Sequence, residues 1–272
     1  MLLAVDIGNT NVTLGLFDGP ALLRSWRLAT VQHRTADEYG ILVRTLLTQA
    51  GLDPASIRDV VLASVVPALT RTVQTMLDAV VGRPVLTVGP GVKTGVAVHY
   101  RPPTDVGADR VVNAAAAFER YRTACIVVDF GTATTFDCIG SKGDYLGGAI
   151  APGVDLALSA LLARAAKLPK VELVQPDAAI GKSTVASIQS GSFFGYVALV
   201  DGLVDRIRCE MGGPQPPVLA TGGLARGLAE ASRTIQDVDE DLTLRGLRLI
   251  HQRNASRASA EPPDPARTPE PS

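Results

Sequence analysis

The sequence predicts an α/β protein built twice over, with two β-β-β-α-β-α type halves facing one another across a central cleft. Three observations predict it. Apolar runs of strand length alternate with longer stretches of helical periodicity. The succession of strands and helices restarts about half-way along the chain. A short segment, Val5-Asp6-Ile7-Gly8-Asn9-Thr10, returns as Val128-Asp129-Phe130-Gly131-Thr132-Ala133, each time between two apolar runs.

In the first half, Leu2–Ile7 and Val12–Phe17 read as strands split by the turn composition Gly8-Asn9-Thr10-Asn11. Leu22–Leu28 is a third strand. Ala36–Ala50 carries Tyr39, Leu42, Val43, Leu46 and Leu47 at helical spacing and stops at Gly51. Val60–Val66 reads as a buried strand, Ala68–Val81 as a helix and Val85–Val88 as a short strand, before the Gly/Pro-rich loop Gly89–Pro103.

A helix from Val106 to Tyr121 opens the second round. Strands follow at Cys125–Phe130, Thr135–Ile139 and Tyr145–Ile150, then helical patterning over Asp155–Ala166 and Ser183–Met211. Val218–Thr221 is a strand ending in Gly222-Gly223, and Leu242–Gln252 is the last helix. Residues 1–117 and 118–254 are the expected halves. Beyond Asn254 the run of Pro262, Pro263, Pro265, Pro269 and Pro271 has no apolar periodicity, so 255–272 is expected to be a disordered tail.

Composition narrows the function classes. At 272 residues and 46% hydrophobic side chains the chain can bury one large or two modest cores. A formal net charge of −1 without a basic stripe argues against a nucleic-acid partner, and against a nuclease with a basic groove. Cys125, Cys138 and Cys209 have no metal-ligand spacing and suit a reducing compartment. The N-terminus lacks signal-peptide features, and the charge-free stretch Ser183–Val200 is too polar for a membrane. A cytoplasmic protein is expected. His33, His99 and His251 are scattered, which points to surface or packing roles.

The repeated hairpins are the candidate anion sites. A Gly in the turn lets backbone N–H groups approach a phosphate, Asn and Thr add donors, and a carboxylate at the strand end can hold Mg²⁺ directly or through water. A single such turn is more simply a hairpin that satisfies its own backbone; two at matching places favour phosphate. Other nucleotide motifs fail. Gly181-Lys182-Ser183 resembles the end of a P-loop, but Pro176 stands where its first Gly belongs, and no G-x-G-x-x-G follows a strand.

Gly107-Ala108-Asp109-Arg110 opens a helix and admits two readings. Asp109 can complement the helix dipole with Arg110 as its ion partner, or it can act as a general base with Arg110 as a carboxylate clamp. Neither hairpin brings a cation, because no Lys or Arg occurs over Met1–Leu23 or Thr123–Ser141. Metal ions are therefore expected to supply the positive charge, although distant basic residues could also fold into the cleft.

Asp6-Ile7-Gly8-Asn9-Thr10-Asn11 with Gly15 resembles the first phosphate motif of type III pantothenate kinases. Gly107 to Arg110 is similar to their substrate motif, and Asp129-Phe130-Gly131-Thr132-Ala133-Thr134 to their second phosphate motif. Gly147-Gly148, Pro152-Gly153, Gly181 to Thr184, Gln189-Ser190-Gly191 and Thr221-Gly222-Gly223 also match, in order, over Met1 to His251.

The resemblance implies the duplicated actin-like (ribonuclease-H-like) fold of the actin–hexokinase superfamily. It also implies ATP-dependent phosphorylation of pantothenate, the first step toward coenzyme A. By position it places Asp6, Ile7, Gly8, Asn9, Thr10, Asn11, Val12, Thr13 and Thr132 on ATP. Tyr100, Gly107, Ala108, Asp109, Arg110 and Thr184 fall on pantothenate, with Asp109 as proton acceptor. Asp129 falls at a monovalent cation, potassium or ammonium, beside the Mg²⁺ that accompanies ATP at Asp6. A homodimer is implied as well. Pro102 departs from the family's Asn-Pro pair after the substrate tyrosine. The competing reading is a regulator of the same fold that binds nucleotide or pantothenate without catalysis.

Overall fold

The computed structural model describes residues 1–164 and 171–258. Strands β1 (Leu2–Ile7), β2 (Asn11–Asp18) and β3 (Ala21–Ala29) form an antiparallel meander. Helix α1 (Ala36–Gln49) then leads to β4 (Asp59–Ser64), parallel to β1. Helix α2 (Pro67–Val80) leads to β5 (Val85–Thr87), parallel to β4. After α3 (Ala108–Tyr121) the scheme repeats: the meander β6 (Cys125–Phe130), β7 (Ala133–Ile139) and β8 (Tyr145–Pro152), then α4 (Val154–Arg164) and α5 (Thr184–Met211). β9 (Val218–Gly222), α6 (Ala225–Ala229), β10 (Asp237–Val238) and α7 (Leu242–Ala258) complete it. The two sheets have orders β3-β2-β1-β4-β5 and β8-β7-β6-β9-β10, so the second is the first repeated.

Local chemistry explains the helix ends. Thr35 and Glu38 form a reciprocal capping box at α1, and Gly51, at φ 70°, follows its C-cap. Pro67 opens α2, where a missing N–H costs nothing. The Ser183 hydroxyl accepts from the Ala186 N–H to cap α5.

Helices α3 and α7 pack against each other between the two sheets. Val112 and Ala115 of α3 share a core with Leu244, Leu247 and Ile250 of α7 and with Leu2 and Val61 of the first sheet. Val111 and Ala114, on the other side of α3, pack with Val127 and Ile139 of the second. Helix α3 is thus buried on two sides, which its run of alanines permits. A Cβ on Gly246 would lie 2.3 Å from the Val112 carbonyl oxygen, so glycine lets α7 approach this closely.

The halves therefore exchange helices. The last helix of the chain lies on the first sheet, and a cut between residues 117 and 118 passes through α3. Helix α7 also runs to Ala258, taking in the first four residues of the expected tail, and Leu247 and Ile250 hold its body to the core. The rest of the expected tail, and the final residues of the helix expected to reach Ala166, lie outside the described residues. Helix α6 and strand β10 are too short to read from periodicity. Among the described residues no helix is long and apolar enough to cross a membrane.

Candidate active site

Asp6 and Asp129 occupy the same place in the two sheets, one residue before the end of β1 and of β6. Cross-strand pairing continues the match: Asp6 faces Thr13, and Asp129 faces Thr135. The turns that follow close with the Gly8 N–H on the Asn11 carbonyl at 2.9 Å and the Gly131 N–H on the Ala133 carbonyl at 3.1 Å. The hairpins meet across the cleft, where the Thr10 and Thr132 hydroxyls are hydrogen-bonded at 2.6 Å.

Between them lies a cleft of about 670 Å³ lined by Asp6, Gly8, Asn9, Thr10, Asn11, Thr13, Asp109, Asp129 and Thr132, among others. That volume suits a small-molecule ligand. Ile7 and Val12 point into the core instead, so they fix the hairpin stem and leave only backbone for a ligand. At the far wall Gly222 has φ 93°, and a Cβ there would lie 2.6 Å from the Phe130 carbonyl oxygen and 2.7 Å from Asp129 Oδ1. Only glycine lets the end of β9 pass this close to the carboxylate.

Asp109 stands in the first turn of α3, where it complements the helix dipole, but the Arg110 guanidinium pairs with Asp137 and not with it. Asp109 Oδ1 accepts from the Arg110 N–H at 2.8 Å, and the residue lines the cleft. Asp129 Oδ2 accepts from the Asn113 amide at 3.1 Å, and Asn113 Oδ1 accepts from the Thr243 hydroxyl at 2.8 Å. α3 and α7 together therefore orient Asp129.

Arg110 does not line the cleft. It is buried, and its Nε donates to Asp137 Oδ1 at 2.6 Å. Asp137 also accepts from the Tyr145 hydroxyl at 2.9 Å, while Arg110 Nη2 is buried without a partner among the described residues. The guanidinium thus has one arm committed to the fold and one donor open.

Tyr100 leans on Tyr145, ring centroids 6.3 Å apart, after which the Arg101–Pro102 peptide is cis. Gly107 caps α3 and Ala108 starts it. Thr184 lies apart from the cleft, in a second pocket of about 420 Å³ with Leu158, Leu161 and Ile188.

The acid groups raise one another's proton affinity. Burial, then the Asp109 and Asp129 carboxylates, pushes Asp6 up to about 8. Burial, then Asp109 and Asp137, pushes Asp129 up to about 7. Burial also raises Asp109. Asp6 Oδ1 is buried with no hydrogen-bond partner among the described residues. This orphaned, crowded oxygen fits a cation. Among the described residues no three His, Cys, Asp or Glu side chains converge to hold a metal by themselves, so Mg²⁺ here needs phosphate oxygens and waters as further ligands.

The shifts carry a sign. Carboxyls whose folded pKa lies above the unfolded value stabilise the fold at low pH, and that contribution is lost as pH rises through the folded pKa. Free of nucleotide and divalent ions, the protein should melt at a lower temperature at about pH 9 than at about pH 5. Thermal melts in a chelating buffer check this, and an unchanged or rising melting temperature would refute the crowded-carboxylate account.

Arg27, Glu240 and Thr243 line the cleft and escape the sequence reading. Arg27 of β3 pairs with Thr13 and lines the cleft beside Gly223, so a basic side chain does reach the first hairpin. A survey along the chain stops short of it; the strand register brings it in.

Two hairpin-led sheets with acidic strand ends around one cleft define a protein of the duplicated actin-like class. At 15% identity the fold matches (R)-2-hydroxyglutaryl-CoA dehydratase component A of Acidaminococcus fermentans, with TM-score 0.54, 96% of this chain and 99% of that one covered. A ROK hexokinase of Thermus thermophilus matches at TM-score 0.50 and 14% identity, over 94% and 99% of the two chains. The sequence model of the type III pantothenate kinase family matches residues 2–206. A type III pantothenate kinase of Anaeromyxobacter sp. (strain K) is 56% identical over 254 residues, 93% of this chain and all of that protein. The chain belongs to the type III pantothenate kinase family.

Proposed function

We infer that the protein transfers the γ-phosphoryl group of ATP to the primary hydroxyl of pantothenate, giving 4'-phosphopantothenate and ADP. The observation that carries this is the convergence of both hairpins and Asp109 on one cleft in a chain of this family. Asp6 to Thr13 and Thr132 hold the polyphosphate through turn N–H groups and hydroxyls. The pantothenate hydroxyl oxygen bonds to the γ-phosphorus, the bond to the ADP oxygen breaks, and the hydroxyl proton passes to Asp109. Burial, which raises the Asp109 carboxyl, favours that proton's capture. Asp6, whose Oδ1 is buried without a partner among the described residues, would hold the Mg²⁺ that comes with ATP, and that ion would supply positive charge to the phosphates.

Arg110 Nη2, the open donor, serves the pantothenate carboxylate near Tyr100, Gly107 and Ala108. Asp129 takes potassium or ammonium. Thr184 belongs to the same substrate site when two copies associate as a homodimer; the exposed Leu161 lies in its pocket. The division into two halves, 1–117 and 118–254, closes on the ligands from both sides, in the cytoplasm. The Asp6, Asp109 and Asp129 carboxylates speak against a regulator without catalysis, which would need no base.

Coupled ADP release should occur with pantothenate and not with glycerol or common sugars. At fixed Mg²⁺ and ionic strength it should rise strongly when potassium or ammonium replaces sodium. No pantothenate-dependent ADP release would overturn the kinase reading, and equal rates in the three salts would remove the monovalent cation.

A further inference from the structure

All but one of the charged residues described in the cleft lining are acidic. Asp6, Asp109, Asp129, Asp155 and Glu240 line the cleft, and Arg27 is the only Lys or Arg among the described lining residues. Its position follows from register. Asp6 on β1 pairs with Thr13 on β2, and Thr13 pairs with Arg27 on β3, so the three stand in one row directed at the cleft.

The duplication supplies a control. The matching row of the second sheet runs Asp129, Thr135 and Ile150, with Ile150 62% exposed. The row therefore folds without an arginine, and sheet geometry does not explain the residue. Nor does an ion pair: Arg27 forms none among the described residues, and Glu240 of the lining is held by Arg226 at 3.2 Å. The guanidinium instead extends toward the turn after β9, where Nη1 would lie 3.9 Å from a Cβ on Gly223. An exposed cation projecting into a cleft whose other charged lining residues are acidic, opposite a glycine turn, has the chemistry to receive a polyanion.

We propose that Arg27 binds the polyphosphate of the nucleotide, bridging it from the first sheet toward the Gly222-Gly223 turn of the second half. The assignment rests on the kinase reading and deepens it. Arg27 supplies the side-chain cation that both hairpins lack, and it acts on nucleotide affinity, since it stands on the β3 edge of the cleft while Asp109 stands on α3.

The test is calorimetric titration of Mg·ADP into the wild type, Arg27→Ala and Arg27→Lys, with steady-state kinetics on each. A charge-assisted contact predicts ~10–100-fold weaker Mg·ADP binding for Arg27→Ala, with partial recovery in Arg27→Lys. The KM for ATP should rise accordingly, while the KM for pantothenate stays within about threefold and the melting temperature stays unchanged. A merely structural residue would shift the melting temperature or both KM values alike, and that result would overturn the proposal. Equal Mg·ADP affinity in wild type and Arg27→Ala would overturn the Arg27 assignment alone. A wild type that binds no Mg·ADP would overturn the kinase reading, and the assignment with it.

Discussion

Replacing Asp109 by Asn should lower kcat by ~10²–10⁴-fold, the usual contribution of a positioned general base, and leave the fold intact. The substitution separates the two jobs of this side chain. Asn keeps a carbonyl oxygen where Oδ1 now accepts from the Arg110 N–H, so the first turn of α3 keeps that bond. It removes the carboxylate that would take the hydroxyl proton. It also removes one of the negative charges that raise Asp6 and Asp129, so Mg·ATP should bind at least as well as to the wild type. The expected signature is therefore a fall in kcat with little change in either KM and a melting temperature at or above that of the wild type. Steady-state kinetics and thermal melts read both. Activity within about threefold of wild type would remove Asp109 from the chemistry and leave it as a first-turn residue of α3.

The strand-turn-strand hairpins were legible because each buries a strand on both faces and then breaks sharply at Gly8 or Gly131. The matched carboxylates, Asp6 and Asp129, were legible for the same reason, since a charge inside an apolar run has few structural excuses. The exchange of α3 and α7 was not. Helical periodicity reports that a face is apolar, and Val111 and Val112 give no sign that their neighbours belong to different sheets.

Residues that act through partners far along the chain were hidden in the same way. Asn113 and Thr243 are 130 residues apart and meet only because α7 folds back onto the first sheet. Arg27 lies beyond any window drawn around Gly8, and two strand pairings carry it back to Asp6. Neither sequence reading of Arg110, as partner of Asp109 or as carboxylate clamp, names its anchor, because Asp137 looks in sequence like the polar residue of an ordinary alternating strand.

That anchor carries the largest expected effect on stability. Asp137→Ala should destabilise the protein by about 3–5 kcal/mol, the usual cost of breaking a buried ion pair from one side. Asp137 is fully buried on β7, and Arg110 is 7% exposed on α3. Burial pushes Asp137 up to about 6 against the pull of the guanidinium. Removing the carboxylate leaves a guanidinium in the core with Nη2 already unpartnered, and it frees the Tyr145 hydroxyl as well. A surface ion pair would cost a small fraction of this.

The double variant Arg110→Met, Asp137→Leu separates the pair's net worth from the penalty of a lone charge. It should recover most of the stability, because well-packed apolar side chains replace buried ion pairs at little cost. It should also raise the KM for pantothenate, because the donor proposed for the substrate carboxylate goes with it. Urea unfolding of the wild type, the single variant and the double variant measures the first effect, and pantothenate titration at saturating ATP measures the second. A loss below about 1 kcal/mol in Asp137→Ala would mean that water reaches Arg110 and that the pair is not buried as drawn.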